Sequence, residues 1–379
     1  MISRLADLYD RFFQKLTLAL FYYVPVGLAY LQPFYRKADI RVEHPGSVSF
    51  ETERYAVYVL WQPGGTVPWY VLNTLESLRD HQVNTIVVSN HELTSAQLAT
   101  LQGLAARVLV RGNKGFDFGA YKDAILTLAE GEKPITRVLI FNDSVYVFKR
   151  GLSQLIEELL SDRYDVVAAY ENWELHYHFQ SFCIGISGRV FAHPRMLAFW
   201  QSYRPISIRR WCINSGEVRL SHTLRKITTN FRIVFGINNL LDCLTSEADL
   251  ATILQYREFV PRPIRKGFPE DDLLSVSEEA DAKERTVILR RLKERLSDLL
   301  MLRAQSHTGA FFFPKFLSSP FLKRDIVYRE LFTVYEVERM LLELGLTEEL
   351  PSITDEIRRR GTAAHLRGVA KRRYRLGLI

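Results

Sequence analysis

The chain reads as an α/β protein, a mostly parallel sheet with helices on both faces and helical extensions at its two ends. Three observations predict this. From Arg54 to about Tyr170, apolar runs of strand length alternate with helical stretches, the pattern of successive strand–helix–strand units. The runs YAVYVLW, TIVVS and RVLIF are apolar throughout, as strands buried on both faces must be. Polar or glycine-rich residues follow each run, where open parallel sheets bind their ligands.

The elements follow in order. YAVYVLW is the first strand of the series, and QPGG after it is a turn. Pro68 opens a helix, VPWYVLNTLESLRDHQ, with Val71, Leu75 and Leu78 on one face. TIVVS is a second strand ending at Asn90, LTSAQLATLQGL a short helix, and ARVLV a third strand. After the loop RGNKGFDFGAY, residues Phe118, Tyr121, Ile125 and Leu128 mark a helix face. RVLIF is a fourth strand that ends in Asn142, Asp143 and Ser144; LSQLIEELL and DVVAAY are a further helix and strand. The α/β domain is thus expected at residues 50–245. An apolar helical segment at 1–45 precedes it, and a helical region at 246–379 with a basic tail follows.

Composition bounds the partners. With 47% apolar and 25% charged residues in 379, the chain is globular and not disordered. A net charge of +7 favours an anionic partner, either a phosphorylated small molecule or an acidic membrane surface. Nucleic acid is not expected, because the basic residues concentrate at one terminus and no nucleic-acid-binding signature is present. Cys183, Cys212 and Cys243 are far apart and odd in number, which encodes no disulfide framework and fits a reducing compartment.

Between Lys15 and Arg36 there is no charged residue. That is about the length of a membrane span, but Pro25 and Gly27 interrupt it. A helix lying in the membrane interface, a buried helical hairpin and a span are all consistent with the segment. From Ile357 to the end there are eight Lys or Arg and no acid, so the tail is either solvated or a surface for anionic lipid.

The candidate site residues sit after the strands. Asn113, Gly115, Asp117 and Gly119 are spaced by two between a strand and a helix, where backbone N–H groups favour anions. Their spacing is neither the dinucleotide fingerprint nor the phosphate loop of nucleotide hydrolases. Asp117 also suits an N-cap and Gly115 a turn. Asp143, at a strand end beside Asn142, is placed either to hold a divalent cation against a diphosphate or to cap a turn. Asn90 ends the neighbouring strand. His176, His178 and Gln180 alternate; they read as a polar wall for donor or acceptor sugar, as structural hydrogen bonding, or as a metal pair. Glu217, in NSGEVRLSHTLRK, is placed as a general base or as a first-turn glutamate.

NKGFDFGAY, LIFNDSVY, HFQSF and FLKRDIV, in that order, are similar to motifs of the rhamnan synthesis protein F family of bacterial polysaccharide glycosyltransferases. The resemblance extends over about Tyr55 to Arg329. It implies a GT-A-like, Rossmann-like fold and a hexosyltransferase-type glycosyltransferase. Such an enzyme would move a sugar, with rhamnose a candidate, from a nucleotide-diphosphate donor to a lipid-linked polysaccharide or lipopolysaccharide acceptor. The place implied is the cytoplasmic face of the inner membrane, or the cytoplasm. Asn113, Gly115, Asp117 and Gly119 match the family loop that would cradle the donor, with Asn90 and Asn142 beside it. Asp143 stands where GT-A enzymes place the carboxylate for Mg2+ or Mn2+, and His178, Gln180 and Ser181 match as well. The chain departs from the usual D-x-D, because Val145 occupies the second position. Asn142 or Ser144 would be a weaker ligand. The alternative reading is therefore a non-catalytic, membrane-associated binding or assembly subunit of a polysaccharide synthesis complex.

Overall fold

Strands that are apolar on both sides need cover on both sides, and the central sheet has it. The computed structural model describes residues 2–32, 38–131, 133–174, 176–244, 255–266 and 282–379. Its strands are β1 (Ile40–Pro45), β2 (Arg54–Leu60), β3 (Asn84–Ser89), β4 (Arg107–Arg111), β5 (Arg137–Asn142), β6 (Val145–Val147), β7 (Val166–Ala168), β8 (Glu171–Asn172), β9 (His178–Phe179), β10 (Cys183–Ser187), β11 (Phe231–Ile233) and β12 (Phe321–Lys323). Eight of them form one sheet in the order β1-β4-β3-β2-β5-β10-β7-β11. The run β4-β3-β2-β5 is parallel, whereas β1 and β10 are antiparallel to their neighbours. This is the mostly parallel α/β class expected.

Side chains on β2 alternate between two cores. Ala56, Tyr58 and Leu60 join one, and Val57 and Val59 the other. The first core takes Val71, Leu75 and Leu78 from the helix Trp69–Asp80, and Leu155 and Leu159 from the helix Leu152–Leu160. The second takes Phe118, Tyr121 and Ile125 from the helix Phe116–Ala129, and Met196 and Trp200 from Pro194–Ser202. Each large apolar side chain so buried contributes about 1.5–3 kcal/mol.

Two features position the site. Chain order runs outward from β2 through β3 to β4 and then resumes on the other side of β2 at β5. That reversal opens a crevice beyond the carboxyl ends of β2 and β5. The C-terminal region then closes it. Strand β12 pairs antiparallel with β6, setting Lys323 opposite Val145, and Phe311, Phe312, Phe313, Val337 and Met340 complete the first core.

The N-terminal segment is helical from Ile2 to Leu31, passing through a π-turn at Ala19–Tyr23. Pro25 sits in the first turn after that π-turn and does not break the helix. The segment is not a buried hairpin. Over Leu8–Leu31 only 11% of the apolar window is buried, and Leu8, Phe12, Leu16, Leu20, Val24 and Leu28 form an exposed stripe. Its other side rests on basic residues, with Arg372 4.6 Å from the Phe13 ring and Arg373 4.8 Å from Phe21.

Candidate active site

A cavity of about 530 Å³ lies at the crevice, lined by Trp61, Asn113, Phe116, Asp117, Asn142 and Asp143 on the sheet side. Glu217, Arg209, His307, Lys323, Arg324, Asp325, Arg329 and Arg360 line the rest. The volume is within the usual range for small-molecule sites.

The sheet-side wall is shaped by a residue the sequence reading passed over. Arg111 is fully buried at the end of β4. It donates to Asp123 Oδ2 at 2.8 Å, to Asn90 Oδ1 at 2.6 Å and to the carbonyl of Lys114 at 2.8 Å. That last bond curls the loop back toward its own strand. Gly115 follows at φ +73°, and Phe116 also has a positive φ of 52°, an unfavourable conformation for a side chain of that size.

The glycines have a different role from the one expected. A Cβ on Gly115 would meet Pro205 atoms at 2.3–2.8 Å, and one on Gly119 would meet the Lys114 carbonyl oxygen at 2.1 Å. Neither lines the cavity. They permit backbone packing behind the wall, so a ligand cradle is not their direct function. Asn90 is likewise behind the wall, orienting Arg111.

Asn113, Asp117 and Asn142 do face the cavity. Asp117 is not the N-cap, which is Gly115. Its Oδ2 accepts from Asn142 Nδ2 at 2.9 Å. Burial, and then the charge of Asp143, push Asp117 up to about 7.

Asp143 also faces the cavity, but its carboxylate is engaged. Oδ2 accepts from the Trp61 backbone N–H at 3.1 Å and lies 3.4 Å from Arg324 Nη1. Arg324 Nη1 donates to the Asp143 carbonyl at 2.6 Å, and Arg324 pairs with Glu356 at 2.7 Å. Burial raises Asp143 to about 6 against the lowering effect of Arg324.

Glu217 lies on the π-helical turn Cys212–Val218, set by Gly216 packing on Phe118. Its Oε1 accepts from Ser181 N at 2.6 Å and Ser181 Oγ at 3.0 Å, and His178 Nε2 is 3.5 Å from Oε2, an ion pair more than a hydrogen bond. Burial would raise it, yet His178 and the Ser181 N–H hold it near 2. His178 is buried and reaches the cavity only through Glu217. Gln180 is buried with Oε1 unpaired, and His176 is exposed. The alternation expected for these three does not form one face, because β9 spans only His178–Phe179.

The opposite wall comes from the segment holding FLKRDIV. His307 Nε2 is 2.8 Å from Asp325 Oδ1, and Asp325 also pairs with Arg329. Burial, opposed by Asp325, lowers His307, so the ring is neutral near pH 7. Lys323 Nζ donates to Ser144 Oγ at 3.1 Å.

This joins NKGFDFGAY, LIFNDSVY, HFQSF and FLKRDIV in one place. Residues 85–255 match the rhamnan synthesis protein F family. The match covers the first three motifs and stops short of FLKRDIV. An uncharacterized protein of Sinorhizobium fredii, y4gN, is 28% identical over 190 residues, 49% of this chain and 48% of the relative. The chain thus spans about half the length of the curated relative it matches. Among solved structures, a candidate nucleotide-diphospho-sugar transferase of Desulfovibrio desulfuricans G20 is 12% identical, covering 64% of this chain and 98% of its own, with a TM-score of 0.32. A mannosyltransferase of Pyrobaculum calidifontis in complex with GDP-Man and Mn2+ is 11% identical, covering 90% and 95%, with a TM-score of 0.25. These overlays are too loose to bear on the chemistry of this cavity.

Proposed function

We propose that the cavity binds a nucleoside-diphosphate sugar and transfers the sugar to a hydroxyl of a glycan acceptor. Rhamnose is a candidate sugar, and a lipid-linked polysaccharide or lipopolysaccharide is the acceptor class. One observation carries the reading: Asn113, Asp117, Asn142 and Asp143 converge beyond the ends of β4 and β5, facing a cluster of side-chain cations across one cavity. Amides and carboxylates suit ribose and sugar hydroxyls; the cations suit a diphosphate leaving group. Trp61 and Phe116 offer aromatic surface for the nucleobase at the same rim.

Two groups are placed to take the acceptor proton. Glu217, held near 2, is a weak acceptor. His307, neutral and oriented by Asp325, is the better one, with Glu217 fixing the Ser181 backbone. A divalent cation would be held by Asp143. The side chains fit a resident metal poorly, since Asp143 is already bonded to Trp61 and Arg324, and no group of three or more ligating side chains occurs among the described residues. No step here runs through a metal.

The same proposal places the enzyme on a membrane. The exposed stripe from Leu8 to Leu28 lies beside the basic helix Gly368–Arg375, the pairing expected of a surface that docks on anionic lipid. Replacing Leu8, Phe12, Leu16 and Leu20 with Ser is expected to abolish co-sedimentation with phosphatidylglycerol vesicles. Undiminished sedimentation would remove the docking.

The test of the activity is nucleoside-diphosphate release from a panel of nucleotide sugars by the purified chain. Release by the parent, reduced at least about a hundredfold in His307→Ala, supports the reading. Nucleotide binding with no turnover on any acceptor would favour the assembly-subunit alternative.

A further inference from the structure

Two positive side chains in the cavity have no carboxylate of their own. Arg324 pairs with Asp143 and Glu356, Arg360 with Glu356, and Arg329 with Asp325. Lys323 makes no ion pair with a described residue; its Nζ donates to Ser144 Oγ and lies 4.1 Å from the centroid of the Phe182 ring. The side chain of Arg209, at the start of the short helix Arg209–Trp211, makes neither an ion pair nor a hydrogen bond to a described residue. Burial lowers the pKa of both, Lys323 to about 8, and Arg329 lowers both further, while the charges of Asp325 and Glu217 act in the opposite sense without an ion-pair contact. The fold therefore keeps two partly desolvated cations, neither in an ion pair with a described residue, on the lining of one cavity, where a bound anion would offset the cost of burying them.

Lys323 comes from β12 and Arg209 from a separate helix, and an anion with more than one charged group could meet both. The start of the helix Phe116–Ala129 opens onto the same cavity through Asn113, Phe116 and Asp117, adding the positive end of its backbone dipole. The carboxylate that the resemblance would assign to a metal, Asp143, already has an arginine partner.

We propose that Lys323 and Arg209 bind the diphosphate of the donor directly, in the role a divalent ion would otherwise fill. This rests on the donor-sugar reading above. As the acceptor oxygen bonds to the anomeric carbon, the bond from that carbon to the diphosphate oxygen breaks. The electron pair leaves with the diphosphate, where the two cations stabilise it, and the acceptor proton passes to His307.

Calorimetric titration of the full chain with UDP, GDP and dTDP, each with excess EDTA or with added MgCl2 or MnCl2, tests this. At least one nucleotide is expected to bind with the same Kd, within about twofold, whether or not metal is present. In Lys323→Met and Arg209→Met that affinity should fall about tenfold or more, while the ligand-free melting temperature stays level or rises. A purely structural cation would instead lower it. Affinity in the parent should also fall as pH rises through about 8, as Lys323 loses its proton. Binding that requires the divalent ion, or variants that bind like the parent, would overturn the assignment and leave the donor reading standing. Failure of all three nucleotides under every condition would remove the donor reading itself. The metal comparison uses the parent chain, so it decides even if a variant does not fold.

Discussion

The two walls of the cavity differ in how they are held. On the sheet side, Arg111 fixes the loop through three buried hydrogen bonds, and Gly115 and Gly119 allow it to pack without a gap. On the opposite side, Lys323 and Arg209 make no ion pair with a described residue, and Lys323 stands 179 residues from the serine it touches. The first wall is part of the folded core, and its arginine is satisfied within the protein. The second is built for something that arrives. The contrast separates residues whose loss unfolds the loop from residues whose loss empties the site.

The largest effect should come from breaking the first wall. Arg111→Met leaves the buried Asp123 without its cation and with only the Asp39 backbone N–H, and is expected to cost about 3–5 kcal/mol of stability by chemical denaturation. Arg329→Met should cost far less, because Asp325 keeps His307. Equal losses would erase the distinction between the walls.

Glu217→Gln should have a moderate effect with a defined pH window. The lowered pKa of Glu217 gives stability that is present above about 4.5 and lost as pH falls toward 2. The raised pKa of His178 gives stability that is present below about 6.5 and lost as pH rises through its folded value. The drop in melting temperature is therefore expected to be greatest between about pH 4.5 and 6.5. A drop that grows steadily toward pH 9 would contradict the pairing.

Asp117→Asn should be the mildest, and of opposite sign. The folded pKa of about 7 lies above the ordinary carboxylate value, so the parent loses stability as pH rises from about 4 to 7. The asparagine keeps an acceptor for Asn142 and has no proton to lose. Its melting temperature should exceed that of the parent at pH 8 and match it near pH 4. A variant less stable than the parent at pH 8 would mean that a nearby group offsets the charge of Asp117.

How much of this was legible in the sequence follows the same division. Apolar runs and the rule of strand ends located β2 to β5 and brought Asn113, Asp117, Asn142 and Asp143 to one crevice, because those signals are local. Glu217 was also reached, through its place at a helical turn. Gly115 and Gly119 were read as a ligand cradle because a glycine signals close approach without saying what approaches; here it is Pro205 and a carbonyl. Arg111 was missed because a charge at a strand end usually meets water, and only the fold reveals its burial. Lys323, Arg209 and His307 carried no positional signal, since the β6–β12 pairing and the helix at Arg209 bring them in from outside the alternating region. The motif FLKRDIV marked the segment without assigning its residues a role.

The central claim is that one cavity holds a nucleoside diphosphate between an amide-and-carboxylate wall and a cationic wall. The most direct measurement is a crystal structure of the chain with the nucleoside diphosphate that binds it most tightly. The account predicts the diphosphate against Lys323 and Arg209, with the nucleoside toward Asn113 and Trp61. A nucleotide bound elsewhere, or one whose phosphates reach the protein only through a metal on Asp143, would contradict it.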